Sequence, residues 1–158
     1  MANSPLSYSV LARTTAPGQA EIAFDGEVIR FDRAWASEPS GLPGPAELLA
    51  AAFSACLLKN LERAGQLLAF HYDDADVEVV ARRQDEPPRF VEITYRMRIN
   101  TNEPQRRIDL IHRNLQKYGT VYNTLAAVCA VRGTIEAKVA GQSSSGAAAN
   151  PSANEFMQ

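Results

Sequence analysis

The chain has 158 residues, enough for one domain with a core of its own. Its 46% hydrophobic and 22% charged residues are ordinary for a globular protein, and a formal net charge of -2 argues against binding nucleic acid by phosphate neutralisation. The apolar runs fall short of bilayer-spanning length, and two cysteines are too few for a disulfide scaffold.

Met1 to Val10 holds no Lys or Arg and no apolar core of the signal-peptide kind, so a reducing, cytoplasmic setting is expected. Ser7 to Thr14 alternates as a strand does, and Ala16-Pro17-Gly18 reads as a turn. Gln19 to Phe24 and Glu27 to Asp32 read as two strands joined at Asp25-Gly26, a strong hairpin signal. Arg33 to Gly44 is an irregular connection. Pro45 then suits the first turn of a helix, where its missing N–H costs nothing, and the helix is expected to run to about Leu68. Its first half has almost no polar face, which predicts a helix buried all round, with alanines that let another helix come close.

Asp76 to Gln84 and Phe90 to Ile99 alternate again. In the second, Val91, Ile93, Tyr95, Met97 and Ile99 form a wholly apolar set, so one face packs inward and the other meets water. Thr101-Asn102-Glu103-Pro104 starts a helix, Ile108, Ile111, Leu115 and Tyr118 repeat at helical spacing, and Gly119 stops it. Val121 to Val128 adds a short helix, and Val131 to Val139 is the last strand. The order βββ-α-ββ-α-(α)-β predicts an α+β fold with antiparallel sheets around a buried central helix. Residues 1–140 form a single domain, and 141–158, rich in Ser, Ala, Gly and Asn, form a tail.

The chemistry rests on Cys56 and Cys129. No metal site is expected, since there is no Cys-x-x-Cys and His71 and His112 are not at ligand spacing; each is expected in a structural or solvated role. A thiol on a dry helix is inert unless a cation stands near it. Arginine suits that purpose because it stays charged when buried, and a carboxylate such as Glu47 would hold the arginine by paired hydrogen bonds. The residues alone leave both an active and an inert Cys56 open.

Pro45-x-Glu47-Leu48-Leu49-Ala50-Ala51-Ala52-Phe53-Ser54-Ala55-Cys56 resembles the core motif of the OsmC/Ohr superfamily of thiol-dependent organic hydroperoxide reductases and their relatives. The resemblance spans roughly Tyr8 to Val139, and Lys117 to Leu125 is similar to the family's second-cysteine segment. It implies an intertwined homodimer and a cysteine-based peroxidase in oxidative-stress defence, with Cys56 attacking the hydroperoxide. A second cysteine would resolve the product, and an external dithiol, possibly lipoyl-type, would restore it, with no bound cofactor. An arginine and a glutamate would activate the thiolate.

The chain departs from this pattern in three places. Gly119-Thr120 stands where the resolving cysteine is expected, and Cys129, ten residues on, either folds back to that place or is a core residue. Ala46 stands at the usual carboxylate position, so Glu47, one residue later, either holds the arginine or caps the helix. The arginine itself is placed by no motif; Arg33 and Arg13 are the candidates. Phe53 and Trp35 either wall a pocket for an apolar substrate or belong to core or dimer packing. The alternative to the enzyme is a non-catalytic, small-molecule-binding or redox-sensing dimer of the same fold. No nucleic-acid or membrane partner is expected.

Overall fold

The structure is a computed structural model that describes residues 6–35, 38 and 40–138. The expected tail, and Val139 at the end of the last expected strand, lie outside the described residues. Strands β1 (Leu11–Ala16), β2 (Gln19–Ala23) and β3 (Val28–Asp32) form one antiparallel sheet. Gly18 and Gly26 sit at φ +73° and +85°, the left-handed conformation that each turn requires and that glycine adopts without strain. Helix α1 (Pro45–Leu68) follows, with Pro45 at its first position.

Strands β4 (Asp74–Gln84), β5 (Arg89–Asn100) and β6 (Ala130–Ala137) form the second sheet, with β5 in the middle. Helices α2 (Gln105–Tyr118) and α3 (Thr120–Ala126) lie between β5 and β6 in the chain. They carry it back to the end where β5 began, so β6 runs parallel to β5. This corrects the all-antiparallel expectation: the second sheet is mixed.

The core lies between this sheet and the helices. Ile93, Tyr95, Met97 and Ile99 point inward from β5, while Thr94, Arg96 and Arg98 face out. Phe53, Leu57, Leu61 and Ala64 meet them from α1, and Ile108, Ile111 and Leu115 from α2. The outer face carries a cross-strand charge ladder, including Arg96–Glu136 and Arg98–Asp76. Such exposed pairs add little each; they keep that face wet.

Two apolar surfaces stay open. The α1 stripe Phe53-Leu57-Leu61-Ala64 is buried, but Ala51, Ala52, Ala55 and Leu58 on its other side are exposed. The helix is thus buried by its own chain on one side, not all round. The first sheet makes almost no contact with the second sheet or the helices. Its one buried residue is Ala20, while Leu11 is 63% exposed and Phe24, Val28 and Ile29 are open as well.

One polar group enters the core. Tyr95 Oη and Nε2 of His112 share a hydrogen bond at 2.6 Å, and Gln116 Nε2 reaches both. The Tyr95 ring lies against Gly133 of β6, where a Cβ would stand 2.4 Å from the ring carbons. Burial pushes the Tyr95 hydroxyl up to about 12, which keeps its proton in place. Burial also holds His112 below its ordinary value, against the pull of Asp109, which favours the neutral ring. A histidine held low in the folded state takes up its proton in the unfolded chain first. Its contribution is therefore complete above about pH 6.5 and is lost as pH falls below that. Urea denaturation should show stability falling between pH 7 and 5, and His112→Gln should flatten that window. The further loss at lower pH should persist in the variant, because Asp74, held low by the Lys138 hydrogen bond, protonates there. An unchanged profile from pH 7 to 5 in His112→Gln would contradict the assignment.

Candidate active site around Cys56

Cys56 sits midway along α1, at the seam between the buried stripe and the open alanine face. Each helical residue turns about 100°, so Cys56 lies one step off Leu57 and is half-buried. Its sulfur faces the α2–α3 junction: a Cβ built on Gly119 would lie 3.4 Å from Sγ. The same Cβ would lie 2.9 Å from the Leu115 carbonyl oxygen and from Tyr122 Cβ, so only glycine fits there. Gly119 has φ -73°, an unstrained value, and serves as both the end of α2 and the start of α3. Crowding by the Leu115 carbonyl and Tyr122, rather than a left-handed cap, accounts for the glycine, and Cys56 Sγ lies at contact distance beside it.

Asn60, one turn on, donates Nδ2 to the Cys56 carbonyl at 2.9 Å and stands 3.6 Å from Sγ. Its i+4 spacing from Cys56 is the sequence signal for this contact. Beside Gly119, the Tyr118 ring carries two cations, Arg63 at 4.8 Å and Lys117 at 5.1 Å from its centroid. Arg63 lies two turns beyond Cys56 on α1.

The other expected residues lie elsewhere. Glu47 Oε2 accepts the Gly44 N–H at 3.0 Å and so closes the start of α1. Arg13 pairs with Glu21 across β1 and β2. Arg33 donates to the carbonyls of Gln19 and Ala16 at 3.1 and 3.4 Å. Neither arginine is hydrogen-bonded to Cys56 or paired with Glu47 within the described chain. Phe53, expected as a pocket wall, is 0% exposed and packs on the rings of Tyr95 and Tyr122 at 5.8 and 5.9 Å. It belongs to the core because it shares the stripe of Leu57 and Leu61. Trp35 is 94% exposed and lines a cavity at the start of α1.

Cys129 Sγ donates to the Leu125 carbonyl at 3.3 Å, and burial pushes its thiol up. Hydrogen bonds continue the α3 winding to Cys129 N. At about 1.5 Å per residue, Cys129 thus lies roughly 15 Å from Gly119 along α3, while Cys56 touches the Gly119 end. The two thiols occupy opposite ends of a helix, beyond the roughly 7 Å between Cα atoms that a disulfide spans. Among the described residues no three His, Cys, Asp or Glu gather as a metal site, and no helix is long and apolar enough to cross a membrane.

The fold and site define a class: an α+β domain of two three-stranded sheets in which the central helix presents a thiol to a glycine cradle. The sequence profile described as OsmC-like protein matches residues 38–133, and the chain belongs to that family. Its fold matches the OsmC-like protein of Mycoplasma pneumoniae (16% identity, TM-score 0.76, covering 85% of this chain and 99% of that one). It also matches an organic hydroperoxide resistance protein OsmC of Legionella pneumophila (15%, 0.64, 85% and 100%). The organic hydroperoxide resistance protein OhrB of Bacillus subtilis is a third (16%, 0.58, 83% and 98%). At these identities the likeness is one of fold. No functionally curated protein matches the sequence.

The separation of the thiols has a direct consequence. Treatment with one equivalent of organic hydroperoxide and no added thiol should leave Cys56 as a sulfenic acid that dimedone traps. Non-reducing peptide mapping should find no Cys56–Cys129 bond within one chain. Recovery of that bond as the main product would overturn the geometry.

Proposed function

We propose that the protein is a thiol peroxidase that reduces organic hydroperoxides and that Cys56 is resolved by an external thiol. The observation that carries this reading is the half-buried Cys56 sulfur in its glycine cradle, in a family that includes proteins named for organic hydroperoxide resistance. The Cys56 thiolate attacks the outer peroxide oxygen. The O–O bond breaks, the sulfur is oxidised to sulfenic acid, and the alkoxide leaves as the alcohol after taking a proton. An external thiol then condenses with the sulfenic acid to a mixed disulfide and water. A second thiol, which a lipoyl-type dithiol carries in the same molecule, releases Cys56 reduced. Asn60 supplies a donor to the oxygen that the sulfur acquires. The cycle needs reduced thiols, which suits a reducing, cytoplasmic setting.

With cumene hydroperoxide and dihydrolipoamide or dithiothreitol, the wild type should turn over and Cys56→Ser should lose at least about a hundredfold. Cys129→Ser should keep most of the rate. Absence of turnover with either reductant would refute the enzyme and favour the binding or redox-sensing alternative. That second reading draws on one observation: neither Arg13 nor Arg33 reaches Cys56 within its own chain.

A homodimer answers this. The alanine face of α1 and the bare first sheet are both uncovered apolar surfaces. A second copy that covers them brings its own first sheet, with Arg13 and Arg33, toward the thiol seam. Ala55 is exposed in the single chain, so Ala55→Glu spares the chain's own core. Sedimentation should show a wild-type dimer and a monomeric Ala55→Glu variant with helical circular dichroism retained. Its peroxidase rate should fall at least about tenfold. A variant that stays dimeric, or a monomer at full rate, would sink the shared-site reading.

A further inference from the structure

Helices α1 and α2 lie side by side and antiparallel. Cys56 Sγ meets Gly119 at the end of α2, while Arg107 Nη2, near the start of α2, donates to the Leu68 and Ala69 carbonyls at the end of α1, both at 2.8 Å. On α1, Arg63 and Leu67 follow Cys56 at i+7 and i+11, within about 20° of its direction round the helix, and both are exposed. Ala51, Ala55 and Leu58, the uncovered apolar face, are turned about 100° or more from that direction. The flank beyond Cys56 and the face open to a second copy are therefore different sides of one helix. On α2, Arg106, Leu110, Arg113 and Lys117 fall within about 60° of one another. They are exposed, on the face opposite Ile108, Ile111 and Leu115. Tyr118 is exposed where the two helices meet, with Arg63 at 4.8 Å and Lys117 at 5.1 Å from its ring centroid.

The charge of this flank is unbalanced. Among the described residues no carboxylate pairs with Arg63, Arg106, Arg113 or Lys117, whereas Arg96 and Arg98 on the second sheet are both paired. The acids of the two helices and of the turn before α2 are engaged elsewhere. Glu62 accepts from Tyr72 and Gln66, Asp109 from Gln105, and Glu103 pairs with Arg107. In a chain of net charge -2 the flank is a local excess of positive charge. Leu67, Leu110 and Tyr118 lie among these cations. Apolar anchors set among arginines suit a protein partner better than a bare phosphate, and the sign of the excess selects an acidic one. The α2 stripe is about 20 Å long and ends beside Cys56, the sulfur that an external thiol has to reach in the proposed cycle.

We propose that a protein with an acidic surface docks along this α1–α2 flank and delivers the thiol that resolves Cys56, a partner assignment that rests on the peroxidase reading. The partner's thiolate attacks the Cys56 sulfur of the sulfenic acid, the S–O bond breaks, and the hydroxyl leaves as water after taking a proton. The test isolates thiol exchange. In full-length Cys129→Ser, dithiodipyridine converts Cys56 to a mixed disulfide, and an attacking thiol then releases thiopyridone, which is followed by absorbance. The probe is a synthetic peptide with one cysteine followed by glutamates and leucines; its control carries glutamine for each glutamate. Each rate is normalised to the same peptide's rate with free dithiodipyridine. The acidic peptide should react at least about tenfold faster than the neutral one at low salt, and added salt should erase the advantage. Arg63→Gln, and separately Arg113→Gln combined with Lys117→Gln, should each lose most of that advantage while keeping helical circular dichroism and the rate with dithiothreitol. Arg132→Gln, which removes a charge from the outer face of the second sheet, should keep it. The exchange uses no hydroperoxide, so failure of docking and failure of the peroxidase read out separately. Equal rates for the two peptides, an advantage that survives the flank substitutions, an equal loss in Arg132→Gln, or a Cys56 that dithiodipyridine does not label would overturn the proposal. So would tighter binding of a DNA duplex or a phosphatidylserine vesicle than of the acidic peptide, which would give the flank to another class of partner.

Discussion

Burial of the α1 stripe Phe53-Leu57-Leu61-Ala64 against β5 and α2 is the constraint on which the rest depends. Once that stripe is fixed, helical geometry fixes the direction of every other residue of α1. Cys56, about 100° from Leu57, must fall at the edge of the buried face. Ala51, Ala55 and Leu58 must point away from the core. A half-buried thiol and an uncovered alanine face therefore follow from the same packing decision. Losing Leu57 or Leu61 to alanine would cost about 2–5 kcal/mol by the usual cavity argument, and it would release the position of the sulfur as well.

The seam position gives Cys56 neighbours that a fully buried or fully exposed thiol would lack. Gly119, where Leu115 and Tyr122 leave no room for a Cβ, brings the α2–α3 junction up to contact with the sulfur. Asn60 adds a donor from the next turn. The Tyr118 ring next to Gly119 carries Arg63 and Lys117. These contacts come from two elements that meet only because Leu115 and Tyr122 pack into the same core as Phe53. The placement of the thiol and the packing of the core are thus coupled through one helix crossing.

Local chemistry made much of this fold legible. Pro45 marked the start of α1, Asp25-Gly26 marked the β2–β3 hairpin, and strict alternation marked β5 and its inward face. The direction of β6 was not legible, because it depends on where α2 and α3 return the chain and not on any residue within the strand. Gly119 was legible as a stop signal but not as a cradle, since close approach is a property of two elements at once. Glu47 illustrates the same limit: its spacing from Gly44 fitted a cap and its spacing from Cys56 fitted a partner for arginine, and the structure shows the cap. Phe53 fell in the core because helical phase, not nearness to Cys56 in sequence, decides which way it points.

The two uncovered surfaces bear on each other. A three-stranded sheet needs something packed on one face to be stable in water, yet β1–β3 buries only Ala20 and makes almost no contact with the second sheet or the helices. The α1 face offers small side chains, which admit close approach, and the sheet offers larger ones, Leu11, Phe24, Val28 and Ile29. Large residues on one surface and alanines on the other are complementary in shape. Within one chain the Asp32 N–H donates to the Pro43 carbonyl at 3.0 Å, which ties the end of β3 to the start of α1. A first sheet from a second copy could reach the middle of α1, where Cys56 sits. Covering that face would exclude water from one side of the thiol seam.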